Sequence, residues 1–202
     1  EKIKSKKARW DKNGKVSRRI RQKRRKCIVQ YDQEDYTKFY IVQALFKLMK
    51  EYNYDKISVT DIVKKAGVGR ATFYRYFKSK EEVILHYFRH HTQDFVAAHR
   101  FYPRCRADYT DLVKDVLKYF EAQKERFMLI RQAHLEYVYL DYLNKMFVEK
   151  FIVDHDDLDG KLLPYIYAGM LFNVSMKWLD DGCKRPIGEL ADMIVDAVYF
   201  EK

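Results

Sequence analysis

The chain has 202 residues, of which 48% are hydrophobic and 16% aromatic, with a net charge of +11 and three cysteines. It is too apolar to stay disordered, no apolar run reaches the ~18 residues that span a bilayer, and no apolar signal core opens it. Cys27, Cys105 and Cys183 are far apart and odd in number, which fits neither a zinc site nor a disulfide framework. The expectation is a cytoplasmic, reduced protein with no membrane partner, its cysteines acting as small hydrophobes.

The charge is concentrated at one end. Residues 1–26 carry 14 Lys and Arg against Glu1 and Asp11, a local charge of +12, and the remainder sums to −1. A basic arm over 1–30 on a neutral body suggests a polyanion for the arm. Arg18, Arg19, Arg21, Lys23, Arg24 and Arg25 are the candidate contacts, either as a helix along a phosphate backbone or extended in a minor groove. Alone, the arm buries too little to offset its conformational entropy.

Ile41, Leu45, Leu48 and Tyr52 recur at helical spacing and predict a first helix over 32–51, ended by Asn53. Ser58 and Asp61 then form a capping box ahead of Ile62, Val63 and Ala66, and Gly67 supplies the left-handed residue that ends a short helix. Val68 plugs a turn, Gly69 stands at the next N-cap, and a second short helix over 70–76 turns Phe73 and Phe77 inward. Arg70, Ala71, Thr72, Tyr74 and Arg75 are left on its other faces. Ser79 and Glu82 make a second capping box. Lys80 falls in the first turn of the following helix, where the macrodipole disfavours a cation, so an anion outside the protein is its expected partner.

That following helix runs from 80 to about 100 on Val83, Ile84, Tyr87, Phe88 and Phe95, and Phe101-Tyr102-Pro103 breaks it. From Asp108 the pattern stays helical. Leu112, Val116, Tyr119 and Phe120 mark one helix, Phe127, Ile130 and Leu135 a short one, and 137–151 another. An acidic loop over 154–160 precedes a strong helix over 162–179. Pro186 opens the last helix, with Leu190, Ile194 and Val198. No strand-like alternation occurs. The expected fold is all-α with about nine helices: an arm over 1–30, a helix-turn-helix domain over 31–80 and a helical body over 81–202.

Two short helices joined by a glycine-containing turn, the second presenting Arg, Thr and Tyr, match a DNA-reading helix-turn-helix. Ile41, Ala44, Leu48, Tyr54, Val59, Asp61, Ile62, Ala66, Gly67, Val68, Thr72, Phe73, Tyr74, Phe77, Lys80 and Glu82 closely resemble, in type and spacing, the DNA-binding domain of TetR-family transcriptional regulators. There are two departures. Asn53 stands where the family usually has Gly, in a position where Asn also tolerates the left-handed conformation, and Gly69 stands where a capping Ser is common. The stretch from Tyr165 to Val198 also resembles the C-terminal domain of a regulator subgroup common in Gram-positive bacteria.

The resemblance implies a bacterial, nucleoid-associated homodimer on a pseudo-palindromic operator in double-stranded DNA, acting as a repressor that responds to a small effector, with no cofactor and no enzymatic activity. It puts Ser58, Thr60, Arg70, Ala71, Thr72, Tyr74, Arg75, Tyr76 and Lys80 at the DNA. Arg70 is the candidate for a bidentate guanine contact, while Thr72, Tyr74 and Lys80 position phosphates. It also implies an effector cavity among the middle helices, with Phe88, Tyr119, Phe127 and Phe147 as apolar wall and His134, Tyr137 and Asn173 as polar anchors. The last two helices would form a four-helix dimer interface through Gly169, Met170, Asn173, Met176, Trp178, Ile194 and Val198.

Other chemistries are less well supported. No G-x-S-x-G, P-loop or H-E-x-x-H pattern occurs, and the aspartates of 154–160 lack the spacing of a calcium loop. His86 and His90 lie one turn apart and are the candidates for a metal or haem sensor. A DNA organiser on the same fold, without an effector, is the alternative that the basic arm sustains.

Overall fold

The computed structural model of the protein describes residues 33–99, 105–150 and 158–198. Residues up to Tyr40 and those from Ile41 onward form two units. The described part of the first is Gln33–Tyr40, the opening turns of helix α1 (Gln33–Met49), where Tyr36, Phe39 and Tyr40 are each more than half exposed.

The second unit begins with the rest of α1, which buries Ile41, Leu45 and Phe46 completely. Helix α1 stops at Met49, short of the expected 51, and a single 3-10 turn over Tyr54–Lys56 follows. Asn53 is not left-handed as expected. It is extended (φ −61°, ψ 134°) and caps the 3-10 turn, its side chain accepting from the Asp55 N–H. Helix α2 (Val59–Ala66) carries the expected capping box, with Ser58 Oγ accepting from the Asp61 N–H at 3.2 Å and Asp61 Oδ2 from the Ser58 N–H at 2.9 Å. The Ser58 hydroxyl and N–H hold the Asp61 carboxyl below its ordinary pKa. Gly67 (φ 70°) ends the helix and turns the chain.

Helix α3 (Arg70–Tyr76) follows, and α4 (Lys80–Ala98) leads out of the head. The body adds α5 (Arg106–Ala122), α6 (Lys124–Gln132), α7 (Glu136–Lys150), α8 (Leu158–Asp180) and α9 (Ile187–Val198). Among the described residues there are thus nine α-helices and no strand, the all-α fold expected. Helix α8 starts at Leu158, so the tail of the expected acidic loop is helical; Asp154, Asp156 and Asp157 lie outside the described residues. Gly182 (φ 78°) and the left-handed Cys183 (φ 60°) then break the chain before α9.

Helix α8 packs along α7 and α5, α9 along α5, and α4 against α7, with α6 against α8. The centre is aromatic. Phe120 and Phe127 stack at 4.4 Å and 13°, Phe88 meets Phe127 at 5.0 Å and Tyr139 at 4.4 Å, and Phe172 closes the cluster. Arg126 joins α6 to the head: its guanidinium lies 4.6 Å over the Phe46 ring and 5.8 Å from Tyr87, and Nη2 donates to Gln43 Oε1. Beside it Lys50 pairs with Glu125, and the Tyr87 hydroxyl donates to Gln123.

Phe127 is fully buried while Tyr137, expected inside, is 61% exposed. Phe127→Ala should therefore lose about 3–5 kcal/mol of stability. Tyr137→Ala should stay within about 0.5 kcal/mol of wild type. Urea unfolding followed by circular dichroism measures both, and equal losses would misplace the core.

Candidate nucleic-acid interface

Helix α3 has seven residues and one inward face. Phe73 is completely buried and Phe77, at the C-cap, nearly so; Val68 packs partly buried in the turn before it. Arg70, Ala71, Tyr74 and Arg75 are left exposed, and Thr72 and Tyr76 half-buried. The exposed face therefore carries two cations interleaved with aromatic rings. The Arg70 guanidinium sits 5.7 Å from the Tyr74 ring, one turn on. Arg75 lies 4.8 Å over the Tyr76 ring and donates to its hydroxyl at 3.1 Å. Stacking of this kind restrains a long side chain before any ligand arrives and leaves guanidinium N–H groups pointing outward. Gly69 caps the helix without a side-chain bond, so its first N–H groups are not satisfied by a capping hydroxyl. Thr60 is exposed on α2, and Ser58, also exposed, is committed to the capping box.

Lys80 departs from expectation. Its ammonium donates to the carbonyl oxygens of Tyr54 (2.9 Å) and Ile57 (2.8 Å) and lies 4.0 Å from the Tyr54 ring. The Tyr54 hydroxyl in turn donates to Glu81 at 2.8 Å. A cation in the first turn of α4 is thus stabilised from inside, by two carbonyls, an aromatic face and the acidic Glu81 and Glu82, without needing an external phosphate. Burial, with the bond to Glu81 second, keeps the Tyr54 phenol neutral well above its ordinary titration range. The second capping box is half made: Ser79 accepts from the Glu82 N–H, but the Glu82 carboxylate accepts from the Lys78 N–H.

The other expected site residues separate by burial. Arg18, Arg19, Arg21, Lys23, Arg24 and Arg25 lie outside the described residues. Of the expected effector wall, Phe88, Tyr119, Phe127 and Phe147 are gathered in the body, but His134, Tyr137 and Asn173 are exposed. His134 is left-handed (φ 55°) in the link between α6 and α7, and the neighbouring register turns Leu135, Val138 and Tyr139 inward instead. Of the expected dimer residues, Met176, Trp178 and Ile194 belong to the protomer's own core, and the Trp178 indole N–H donates to the Arg185 carbonyl. Gly169 and Met170 are half-buried and Asn173 exposed, on a face of α8 shared with exposed Leu162, Tyr165 and Ile166; Val198 is half-buried on α9. His86 and His90 stack at 6.5 Å, and no third ligand-type residue completes a metal set among the described residues.

Residues 41–87 match the family model described as bacterial regulatory proteins, tetR family. Over that stretch the chain is similar to the TetR family. It is 27% identical over 126 residues to the HTH-type dhaKLM operon transcriptional activator DhaS of Lactococcus lactis, a match covering 61% of this chain and 58% of that protein. It is 50% identical over 44 residues to the uncharacterized HTH-type transcriptional regulator YvdT of Bacillus subtilis, covering 22% of this chain and 23% of that one. The chain thus spans less than two thirds of either relative. The crystal structure of Lin0861 from Listeria innocua shares its fold, with a TM-score of 0.68 over 81% of this chain and 89% of that one at 20% identity. The matched stretch holds α2, the turn and α3 together with the carbonyls that bind Lys80.

Arg70 and Lys80 should therefore differ when removed. Arg70→Ala should lose about 1–3 kcal/mol on a preferred duplex and little on a random one, with thermal stability unchanged. Lys80→Ala should lower thermal stability and leave the salt dependence of binding as it was. Anisotropy titrations at several salt concentrations decide this. A slope shallower by about 0.9 for the Lys80 variant would return that residue to a phosphate.

Proposed function

We propose that the protein is a homodimeric, sequence-specific DNA-binding regulator of transcription that reads the major groove with α3. The observation that carries this is the outward face of α3, where Arg70 and Arg75 stand beside aromatic rings on a helix fixed by Phe73 and Phe77. A short helix with a rigid inner face and cationic outer residues suits direct readout, in which an arginine fork meets the O6 and N7 of guanine. Tyr74 and the exposed N–H groups at the start of α3 would position phosphates. The basic arm adds charge that releases counterions and strengthens binding to any duplex, while A/T-rich flanks favour its arginines in the minor groove.

The dimer is proposed on the outer face of α8. Leu162, Tyr165, Ile166, Gly169, Met170 and Asn173 recur at helical spacing, and three of them are large apolar residues about half exposed. Among the described residues nothing outside its own stretch of helix lies within 4 Å of where a side chain at Gly169 would project, which leaves room for a partner helix to approach closely. A two-fold dimer carries two α3 helices and so implies a pseudo-palindromic operator. An effector would act on the body, where a small apolar cavity lies beneath α4 and α7. Repression is the reading we favour, by occupancy of a promoter. Activation is the second reading, because DhaS is named as an operon activator.

Selection of bound duplexes from a random pool, followed by sedimentation of the protein, tests the proposal. Wild type should enrich an inverted repeat and sediment as a dimer. Ile166→Glu should sediment as a monomer and bind that repeat at least ~100-fold more weakly, because the two heads then bind separately. Full affinity from a monomer would overturn the dimeric reading.

A further inference from the structure

Two hollows in the body share one wall. The inner one is an apolar cavity of about 30 Å³ among α4, α5, α7 and α8, reaching Phe95, Tyr119, Leu143 and Phe147. The outer one is an open groove of about 490 Å³ between α4 and α7. Val96 and Met146 line both. Between them the hydroxyls of Thr92, on the cavity side, and Tyr142, on the groove side, are hydrogen-bonded at 2.5 Å. Thr92 is itself held by the Phe88 carbonyl at 2.7 Å.

The two hollows differ in chemistry. Inside, the Tyr119 hydroxyl is buried against Tyr139, and burial pushes its pKa up, so it stays neutral in an apolar interior. Outside, the groove is lined by Arg89, Lys145 and Lys150 against a single acid, Glu149. Lys145 is engaged by Asp141 at 2.7 Å; Arg89 and Lys150 have no carboxylate partner among the described residues.

Resting on the reading that the body takes an effector, we propose that cavity and groove form one site for an amphipathic carboxylic acid, its alkyl chain in the cavity and its carboxylate on Arg89 and Lys150. The Thr92–Tyr142 bond is the door. In the closed state the cavity holds about one water's volume, so the chain enters only when this bond opens and Met146, an adaptable side chain, moves aside. A neutral or cationic amphiphile of the same length would fill the cavity but gain nothing from the rim. Opening also moves α4, the helix that begins at the Lys80 clamp beneath the head, which links occupancy to DNA binding.

The test is calorimetric titration of the full chain with dodecanoate, dodecanol and dodecyltrimethylammonium below their micellar concentrations. Dodecanoate should bind at least ~10-fold more tightly than either, the gain expected of charge-assisted hydrogen bonds. Arg89→Glu with Lys150→Glu should bring dodecanoate down to the level of dodecanol. Tyr142→Phe, which breaks the door without altering the fold's packing, should tighten both, because less of the protein is then held in the closed state. Equal binding of acid and alcohol, tighter binding of the cation, or an unchanged dodecanoate affinity in the charge-reversed variant would overturn the carboxylate assignment and leave the effector cavity standing. No binding of any of the three to wild type and to Tyr142→Phe would overturn this site and leave the effector reading, which does not depend on this ligand class, standing.

Discussion

A seven-residue helix does not hold itself together in water, since isolated helices shorter than about 12–15 residues are marginal. Helix α3 is that short, and it is the element proposed to meet DNA. Its conformation is imposed from beneath and from both ends. Phe73 and Phe77 are buried in the core beneath it, Gly67 sets the turn that delivers it, and the capping box of Ser58 and Asp61 fixes the helix before it. Because the inner face takes all the packing, the outer face is free of structural duty and can carry Arg70, Tyr74 and Arg75 purely for recognition. Tight fixing also lowers the entropy lost when those side chains dock, which is where a rigid reader gains affinity.

The same constraint explains the Lys80 clamp. The segment from Tyr54 to Ile57 is a single 3-10 turn and its C-cap, and the Lys80 ammonium gathers two of its carbonyls while Tyr54 reaches over to Glu81. The start of α4 is thereby tied to the floor of the head. At the other side Arg126 lies over Phe46 and near Tyr87, with Lys50 and Glu125 paired beside it. A displacement of α4 within the body therefore has two physical routes to the head: through its own N-terminal turn and through the Tyr87–Arg126–Phe46 stack. Both join packed groups with discrete arrangements, the kind of contact through which two sites become coupled.

The head was legible in the sequence because its signals are local. The capping box, the left-handed Gly67, the N-cap at Gly69 and the spacing of Phe73 and Phe77 each depend on residues within a turn or two, and all are where expected. Misreadings arose where the deciding partner is distant in sequence. The inner partners of Lys80 were missed because its two carbonyls lie 23 and 26 residues earlier. Asn53 was expected to be left-handed by analogy with Gly, yet its amide found a local N–H and made an extended cap. In the body, periodicity identified helices but not which of two apolar stripes faced inward, so Tyr137 was chosen where Tyr139 is the buried ring, and Met176, Trp178 and Ile194 were assigned to a partner when their own protomer covers them. Thr92, the polar residue at the cavity wall, carries no sequence signal: its role comes from Tyr142, 50 residues on.

The central claim is that the outer face of α3 reads base edges in the major groove. Methylation interference at guanine N7 on a selected operator measures it most directly. The account predicts that methylation of a symmetry-related guanine in each of two half-sites, about one helical turn or more apart, blocks binding by the full chain, and that Arg70→Ala abolishes interference at those two guanines alone. Interference confined to phosphate ethylation, with no guanine N7 involved and an unchanged pattern for Arg70→Ala, would contradict it.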